Sequence, residues 1–228
     1  MKIAIFYHTL FYLGSPPDLR PMAVDIVSEQ ITQMEKAGLI CAADEMIVGV
    51  NGGEESEDIA RVLLPPKAKL VFHGLQSRAE NPTIVLLENW AKTHPGWAIL
   101  YLHSKGASHE HGSPYGQNVS EPWRRAMMAD LVDNWRACVA DLSAGAEMVC
   151  SHFMRNMADG SQHIPAGNFL WTTSNFVRTL PSIFMRERIK VSGIAALESR
   201  YEAEVYWGNG PRLPMVKEWR PTGGGGCP

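Results

Sequence analysis

The 228-residue sequence has few cysteines, no excess of either charge and no long apolar run. Its four cysteines form no Cys-x-x-Cys pair, which disfavours a structural zinc site built from thiolates. Lysine and arginine number 21 against 24 aspartates and glutamates, so the charge balance disfavours a general nucleic-acid partner. No segment approaches the roughly 18–20 apolar residues that a membrane span needs. We therefore expect a cytoplasmic protein with reduced thiols and no membrane span.

Two common nucleotide-binding motifs are also missing. The sequence contains neither the P-loop pattern nor the Gly-x-Gly-x-x-Gly fingerprint, which disfavours an ordinary ATPase or an NAD-dependent dehydrogenase. What the chain does have is an apolar fraction of 45%, enough for a sizeable core. It also carries seven tryptophans, six tyrosines and seven phenylalanines, side chains that often line carbohydrate or planar-ligand sites.

Strand-like and helix-like segments alternate along the chain, which predicts an α/β fold with a mostly parallel central sheet flanked by helices. The predicted strands are Lys2–Tyr7, Glu45–Val50, Lys69–His73, Ala98–His103 and Glu147–Cys150, and the predicted helices include Val24–Ala37, Thr83–Thr93 and Glu121–Leu142. We expect one domain over residues 1–222. The glycine-rich segment 223–228 is expected to be a flexible tail.

Polar residues follow four of the predicted strands. Ligands of open α/β sheets bind outside the carboxyl ends of the strands, so polar strand ends that occur together indicate a bound polar ligand. Glycines there would let backbone N–H groups approach an anion, and Lys105 would add a positive charge. Together with Tyr7 as a stacking surface for a base, these features predict a nucleotide-like ligand. The strand ends concerned are Tyr7-His8, Asn51-Gly52-Gly53, His73-Gly74 and His103-Ser104-Lys105-Gly106.

Four segments carry a resemblance to a known family. They are ILYLHSKG (residues 99–106), PWRRAM (122–127), HIPAGNFLW (163–171) and RYEAEVYW (200–207). In this order they resemble motifs of bacterial and viral glycosyltransferases related to capsular polysaccharide and rhamnan synthesis proteins. The resemblance covers roughly Lys2 to Trp207. The chain departs from the family at Leu170, where a second tryptophan is usual.

The resemblance implies a GT-A-like nucleotide-diphospho-sugar transferase fold. It also implies transfer of a hexose or deoxyhexose from a nucleoside diphosphate sugar to a glycan or polysaccharide acceptor. Such enzymes usually hold a divalent cation with an Asp-x-Asp motif, which this sequence lacks; His103-Ser104-Lys105 stands at the corresponding place. We expect Lys105 and Arg124 to neutralise the diphosphate directly. The alternative is a divalent cation, Mn²⁺ or Mg²⁺, with His103 as a ligand.

The candidate site residues divide into three groups. Proton transfer from an acceptor hydroxyl in an inverting reaction needs a carboxylate, for which Glu204 is the first candidate and Glu202 the second. The sequence does not distinguish inversion from retention. The acceptor-binding candidates are His163, Asn168 and Trp171. The candidates for binding the nucleotide sugar are Tyr7, His8, Asn51, Glu80, Thr83, His103, Lys105 and Arg124.

Two other interpretations stay open at this point. Because the sequence lacks Asp-x-Asp, one alternative is a catalytically silent nucleotide- or glycan-binding module on the same scaffold. A metal hydrolase is the other, with zinc held by His109-Glu110-His111 and His103. No His-Glu-x-x-His helix accompanies these histidines, which are explained more simply as solvated loop residues.

Overall fold

The computed structural model describes residues 1–11, 20–74, 80–107, 116–155, 163–183, 199–208, 211 and 213–219. The strands are β1 (Ile3–Phe11), β2 (Glu45–Gly52), β3 (Ala68–Phe72), β4 (Ala98–His103), β5 (Met148–Cys150), β6 (Phe153–Arg155), β7 (His163–Pro165), β8 (Leu170–Thr173) and β9 (Val216–Glu218). The α-helices are α1 (Arg20–Lys36), α2 (Leu39–Ala42), α3 (Glu55–Leu63), α4 (Asn81–Thr93), α5 (Glu121–Met128), α6 (Trp135–Ser143), α7 (Ser174–Val177) and α8 (Ser199–Tyr206).

Seven strands form one sheet in the order β3-β2-β1-β4-β8-β5-β9. Strands β1 to β4 are mutually parallel, and β5 is parallel to β9. Strand β8 is antiparallel to both of its neighbours. The predicted fold class, an α/β architecture with a mostly parallel central sheet flanked by helices, is therefore confirmed. Strands β6 and β7 pair separately.

The reversed direction of β8 decides which residues reach the ligand-binding edge of the sheet. Leu170, at the start of β8, lies opposite Tyr101 near the end of β4. Because the two strands are antiparallel, the residues just before β8 continue past the carboxyl end of β4. The sequence Gly167-Asn168-Phe169 is thereby brought beside His103. A parallel strand at this place would carry the same residues to the opposite edge.

Apolar side chains cover both faces of the sheet. Successive strand residues point to opposite faces, so each strand serves two cores. One core contains Tyr7, Leu100 and Trp171 together with buried residues of α1, α5 and α6. The other contains Phe6 and Tyr101 together with buried residues of α4 and α8. His8, two residues beyond Phe6, therefore lies on the α4 face.

The predicted helix Glu121–Leu142 is interrupted. A π-helical turn, Ala129–Asp133, follows α5, and Asn134 leaves the helical dihedrals at φ −100° and ψ 20°. The Asn134 side chain donates a hydrogen bond to the carbonyl oxygen of Ala129 at 2.9 Å. Asparagine side chains compete with the helical backbone in this way, which explains the break.

Some features named from the sequence lie outside the described residues. The segment 223–228 and the histidines at 109 and 111 are among them, as are the side chains of His163 and Glu202. Their assignments stay predictions. Among the residues that are described, no helix is both long enough and apolar enough to cross a bilayer.

Candidate functional site

Polar side chains gather where the first four strands end, on the face covered by α4. Because these strands are parallel, their carboxyl ends share one edge of the sheet. Helix α4 begins at the same edge, since it follows β3. We call this group the polar edge; it consists of His8, Asn51, His73, Glu80, Thr83, Tyr101, His103 and Asn168.

Two histidines of the polar edge share one hydroxyl group. His8 Nδ1 lies 2.8 Å from Thr83 Oγ1, and His73 Nε2 lies 3.2 Å from the same oxygen. A hydroxyl has one hydrogen, so Thr83 can donate to one ring at most, and at least one of the two rings must donate to it. Burial, together with the neighbouring His103 and His73, lowers the pKa of His8 to about 3. Burial also lowers the pKa of His73, so this part of the edge presents neutral imidazoles at neutral pH.

Gly49 makes room for this shared hydroxyl. It lies in β2 directly beside His8 of β1. A Cβ atom at position 49 would lie 1.9 Å from Thr83 Oγ1 and 2.7 Å from His73 Nε2. Both distances are far below van der Waals contact. A glycine at position 49 is therefore a requirement of the arrangement of Thr83 and His73 above β2.

The carboxylate of Glu80 is the centre of a second buried group. Glu80 Oε2 accepts hydrogen bonds from the Tyr101 hydroxyl at 2.8 Å and from Asn168 Nδ2 at 2.6 Å. Its other oxygen lies 3.5 Å from His103 Nδ1. Burial, reinforced by the Glu80 charge, raises the pKa of Tyr101 well above its usual range. Tyr101 is therefore a neutral phenol that donates to Glu80.

A tight turn before β8 completes this group. His103 Nε2 donates to the carbonyl oxygen of Gly167 at 3.0 Å. The backbone N–H of Asn168 donates to the carbonyl oxygen of Pro165, also at 3.0 Å. Gly167 and Asn168 both have positive φ, 83° and 57°. The indole N–H of Trp207, just after α8, donates to Asn168 Oδ1 at 2.6 Å. The turn is thus fixed from β4, α4 and the end of α8.

Lys105 lies near the same turn, because both contact the side chain of Trp123. Its Nζ lies 4.1 Å from the centre of a Trp123 ring, a cation–π contact. A Cβ atom at Gly167 would lie 3.1 Å from the Trp123 ring and 2.6 Å from Met127 Sδ, so the turn packs closely against α5. Lys105 and the Gly167-Asn168 turn therefore contact the same indole ring from α5.

All four sequence segments that carry the glycosyltransferase resemblance meet at this place. They are far apart in the chain, between residues 99 and 207. Direct contacts join the first to the third, the second to the third, and the third to the fourth. These contacts are His103 to Gly167, Met127 and Trp123 to Gly167, and Trp207 to Asn168.

Comparison with family models shows which family the chain is part of. The matching model covers residues 6–220. The chain belongs to the family described as "Domain of unknown function (DUF8361)". Every residue of the polar edge lies within the matched range, so the candidate site is part of the DUF8361 domain. No curated protein matches the chain.

Three solved structures that match the DUF8361 domain do so at low identity and with TM-scores below 0.5. CMP:2-keto-3-deoxy-manno-octonic acid synthetase in complex with CTP has 10% identity and a TM-score of 0.47, and the match covers 100% of this chain and 93% of that one. 4-Diphosphocytidyl-2C-methyl-D-erythritol synthase has 10% identity and a TM-score of 0.43, and the match covers 96% of this chain and 90% of that one. Rv0371C of Mycobacterium tuberculosis H37Rv in complex with manganese has 11% identity and a TM-score of 0.34, and the match covers 79% of this chain and 77% of that one. Such values carry no information about the activity of this chain.

Two aromatic residues that the sequence suggested as ligand contacts belong instead to the core of the DUF8361 domain. Trp171 is fully buried, and its indole N–H donates to the carbonyl oxygen of Leu131 at 2.8 Å. Tyr7 is fully buried too, and its hydroxyl donates to Gln30 Oε1 at 2.7 Å. Both side chains lie on the sheet face covered by α1, α5 and α6. Trp171 is therefore unavailable to a sugar, and Tyr7 to a base.

Arg124 also has a different task from the expected one. Its side chain is only 5% exposed; Nη2 donates to Glu29 Oε2 at 2.9 Å, and Nη1 donates to the carbonyl oxygen of Lys105 at 3.1 Å. The pocket that it lines between α1 and α5 also contains Arg125 and the carboxylates of Asp25, Glu29 and Glu121. Three carboxylates against two arginines disfavour a diphosphate in this pocket, so we assign Arg124 to anchoring the segment after β4.

The role of His103 as a metal ligand stays a prediction. Its Nε2 faces the carbonyl oxygen of Gly167 and must carry a hydrogen, because a carbonyl oxygen only accepts. Its Nδ1 faces Glu80 at 3.5 Å. In a neutral ring this second nitrogen carries no hydrogen, and metal-binding histidines commonly donate the other ring N–H to a backbone carbonyl. The described part of the chain contains no group of three or more His, Cys, Asp or Glu residues placed to hold an ion.

Sequence reasoning missed two residues that support the site. Gln30 is fully buried, and its Nε2 donates to the carbonyl oxygen of His103 at 3.1 Å. Helical periodicity gave no signal for it, since a buried glutamine has the same spacing as an exposed one. Trp207 could have been found, because it ends the RYEAEVYW segment. Its hydrogen bond to Asn168 could not.

Proposed function

We propose that this DUF8361 protein is a glycosyltransferase. It would transfer a hexose or deoxyhexose from a nucleoside diphosphate sugar to a glycan or polysaccharide acceptor. The observation that carries the proposal is the meeting of the four glycosyltransferase-like segments at the edge where the parallel strands end. This is the edge at which α/β domains bind nucleotides.

The donor side of the proposed site combines neutral hydrogen-bonding groups with one cation. His8 and Asn51 offer polar groups suited to a nucleoside, and the fully buried Thr83 holds the His8 ring in place. Lys105, held on the Trp123 ring, is the proposed contact of the diphosphate. The sequence analysis expected Lys105 and Arg124 to neutralise the diphosphate together. Because Arg124 is paired with Glu29, we assign this role to Lys105 alone.

The proposed proton acceptor is Glu204 on α8, with Glu202 on the same helix as the alternative. Glu204 is half-buried, and α8 leads directly into Trp207, which is bonded to Asn168 of the polar edge. In the proposed step the acceptor oxygen forms a bond to the anomeric carbon while its proton passes to Glu204. The bond from that carbon to the diphosphate breaks, and the nucleoside diphosphate leaves with the electron pair.

Turnover of sugar nucleotides tests this proposal. We expect the wild-type protein to release nucleoside diphosphate from at least one UDP-, GDP- or dTDP-linked sugar. Glu204→Gln should lower the rate by about 100-fold or more, a typical contribution of a general base, with little change in nucleotide affinity. Glu57→Gln, on exposed helix α3, is the matched control. Wild-type turnover by Glu204→Gln would refute the assigned base.

Two further arms of the assay separate the alternatives. Nucleotide binding without turnover of any donor would identify a catalytically silent nucleotide- or glycan-binding module. Chelation followed by addition of Mn²⁺ or Mg²⁺ tests the proposed direct role of Lys105 at the diphosphate. We expect activity to survive chelation. Loss of activity on chelation and its return with Mn²⁺ would assign that role to a metal.

A further inference from the structure

The side chain of Asn168 joins helix α8 to the polar edge. Its Oδ1 accepts from Trp207, which directly follows α8, and its Nδ2 donates to Glu80, which directly precedes α4; both distances are 2.6 Å. We propose that Asn168 is a positioning residue that sets the place of α8, and with it Glu204, relative to the polar edge. The proposal rests on the proposed function of Glu204, but the link itself can be measured separately.

The orientation of the Asn168 amide follows from its partners. An indole N–H only donates, so the amide oxygen must face Trp207. A carboxylate accepts, so the amide nitrogen must face Glu80. Asn168 is fully buried, and both ends of its amide are used inside the protein. The side chain is thereby committed to this link and is not available to an acceptor sugar, which corrects its role in the sequence analysis.

The backbone at position 168 also selects asparagine. Among the described residues, Asn168 alone has a positive φ without being glycine. Asparagine tolerates this left-handed region better than most side chains, although at the cost of some backbone strain. Glycine would relieve that cost but would supply neither hydrogen bond. Asparagine therefore meets the backbone requirement and makes the link.

Apolar packing also holds this end of α8. The Trp207 ring lies 5.3 Å from the Tyr101 ring, centre to centre, and Ala203, Tyr206 and Trp207 are buried against the core on the α4 face. Apolar packing of this kind keeps a helix against the core but does not fix its exact position. Hydrogen bonds are directional, so the two short hydrogen bonds of Asn168 fix the distance between the end of α8 and Glu80.

Asn168→Asp tests the proposal because it replaces one heavy atom and reverses one interaction. The new carboxylate would face Glu80 at hydrogen-bond distance, where two carboxylates cannot both be ionised. At pH 8 we expect turnover about 30-fold or more below wild type, with a donor KM within about twofold. Near pH 5.5 one shared proton should restore the bond, as in carboxylate dyads, and bring turnover to within about threefold of wild type.

A polarity swap supplies the rescue. In Glu80→Gln/Asn168→Asp the glutamine amide can donate to the new carboxylate, which still accepts from Trp207. This double variant should recover turnover at pH 8, where Asn168→Asp alone does not. Asn89→Asp, on the exposed side of α4, adds the same charge elsewhere and should behave as wild type at both pH values. If Asn168→Asp does not fold at pH 8, folding at pH 5.5 and in the double variant provides the same comparison.

The indole N–H signal of Trp207 separates failure of this link from failure of the proposed function. In ¹H–¹⁵N spectra of Asn168→Asp we expect this signal to shift with pH, with the midpoint seen for activity, while the other indole signals stay unchanged. If wild type turns over no donor, the proposed function fails but the signal still tests the link. A pH-independent Trp207 signal, or a pH profile of turnover like that of wild type, would overturn the positioning role.

Discussion

Replacement of Trp171 by alanine is expected to lower the free energy of unfolding by about 3–5 kcal/mol, the usual cost of removing a large buried aromatic side chain. The side chain is fully buried, and its removal would leave a cavity beneath the centre of the sheet. It would also leave the carbonyl oxygen of Leu131 without the indole N–H. Chemical denaturation monitored by circular dichroism measures the change.

Two further variants show why this loss would occur. Trp171→Phe keeps most of the buried area but loses the hydrogen bond, so it should cost about 1–3 kcal/mol. Trp97→Ala removes a half-buried indole just before β4, at the edge of the sheet opposite the polar edge, and should cost less than Trp171→Ala. A Trp171→Ala protein of nearly normal stability with weakened glycan binding would contradict the core assignment and return Trp171 to the acceptor site.

Gly49→Ala is expected to destabilise the protein by about 1–3 kcal/mol through overpacking, although it adds a single methyl group. That group would overlap Thr83 Oγ1, which cannot move without leaving both His8 and His73. Nucleotide affinity should fall together with stability, because these groups form the proposed nucleoside side of the polar edge. Thermal unfolding and calorimetric titration measure the two effects.

A double-mutant cycle tests the cause of the Gly49→Ala effect. Thr83→Ala removes the overlapping oxygen, so the two changes together should cost clearly less than the sum of the single changes, by about 0.5 kcal/mol or more. Additive losses would mean that the added methyl group acts elsewhere in β2 and not on the hydroxyl shared by the histidines.

Local sequence patterns were sufficient for five of the seven strands of the sheet, β1 to β5, because these strands are apolar and most are separated by helices. The predicted Ala98–His103 coincides with β4, and the polar residues at the strand ends do lie at one edge. The direction of β8 has no local signal. Only the motif order suggested that the Gly167-Asn168 turn and His103 belong to one site.

The aromatic residues show the limit of such patterns. A strand buried on both faces places every side chain in an apolar surrounding, so alternation does not tell a core tryptophan from a ligand platform. Trp171 and Tyr7 were misassigned for this reason. Gln30, Glu80 and Asn168 are polar residues whose partners come from distant segments, and no spacing in the chain reveals a hydrogen bond of that kind.

Nucleotide binding at Lys105 tests the central claim most directly. Calorimetric titration with UDP, GDP, dTDP and CMP compounds should find at least one that binds the wild-type protein. Its affinity should fall about tenfold or more in Lys105→Ala, since a charge-assisted hydrogen bond contributes roughly 1.5–3 kcal/mol. Lys2→Ala is the matched control, because Lys2 lies over Trp97 at the opposite edge. No binding by any compound, or equal weakening in the two variants, would contradict the account.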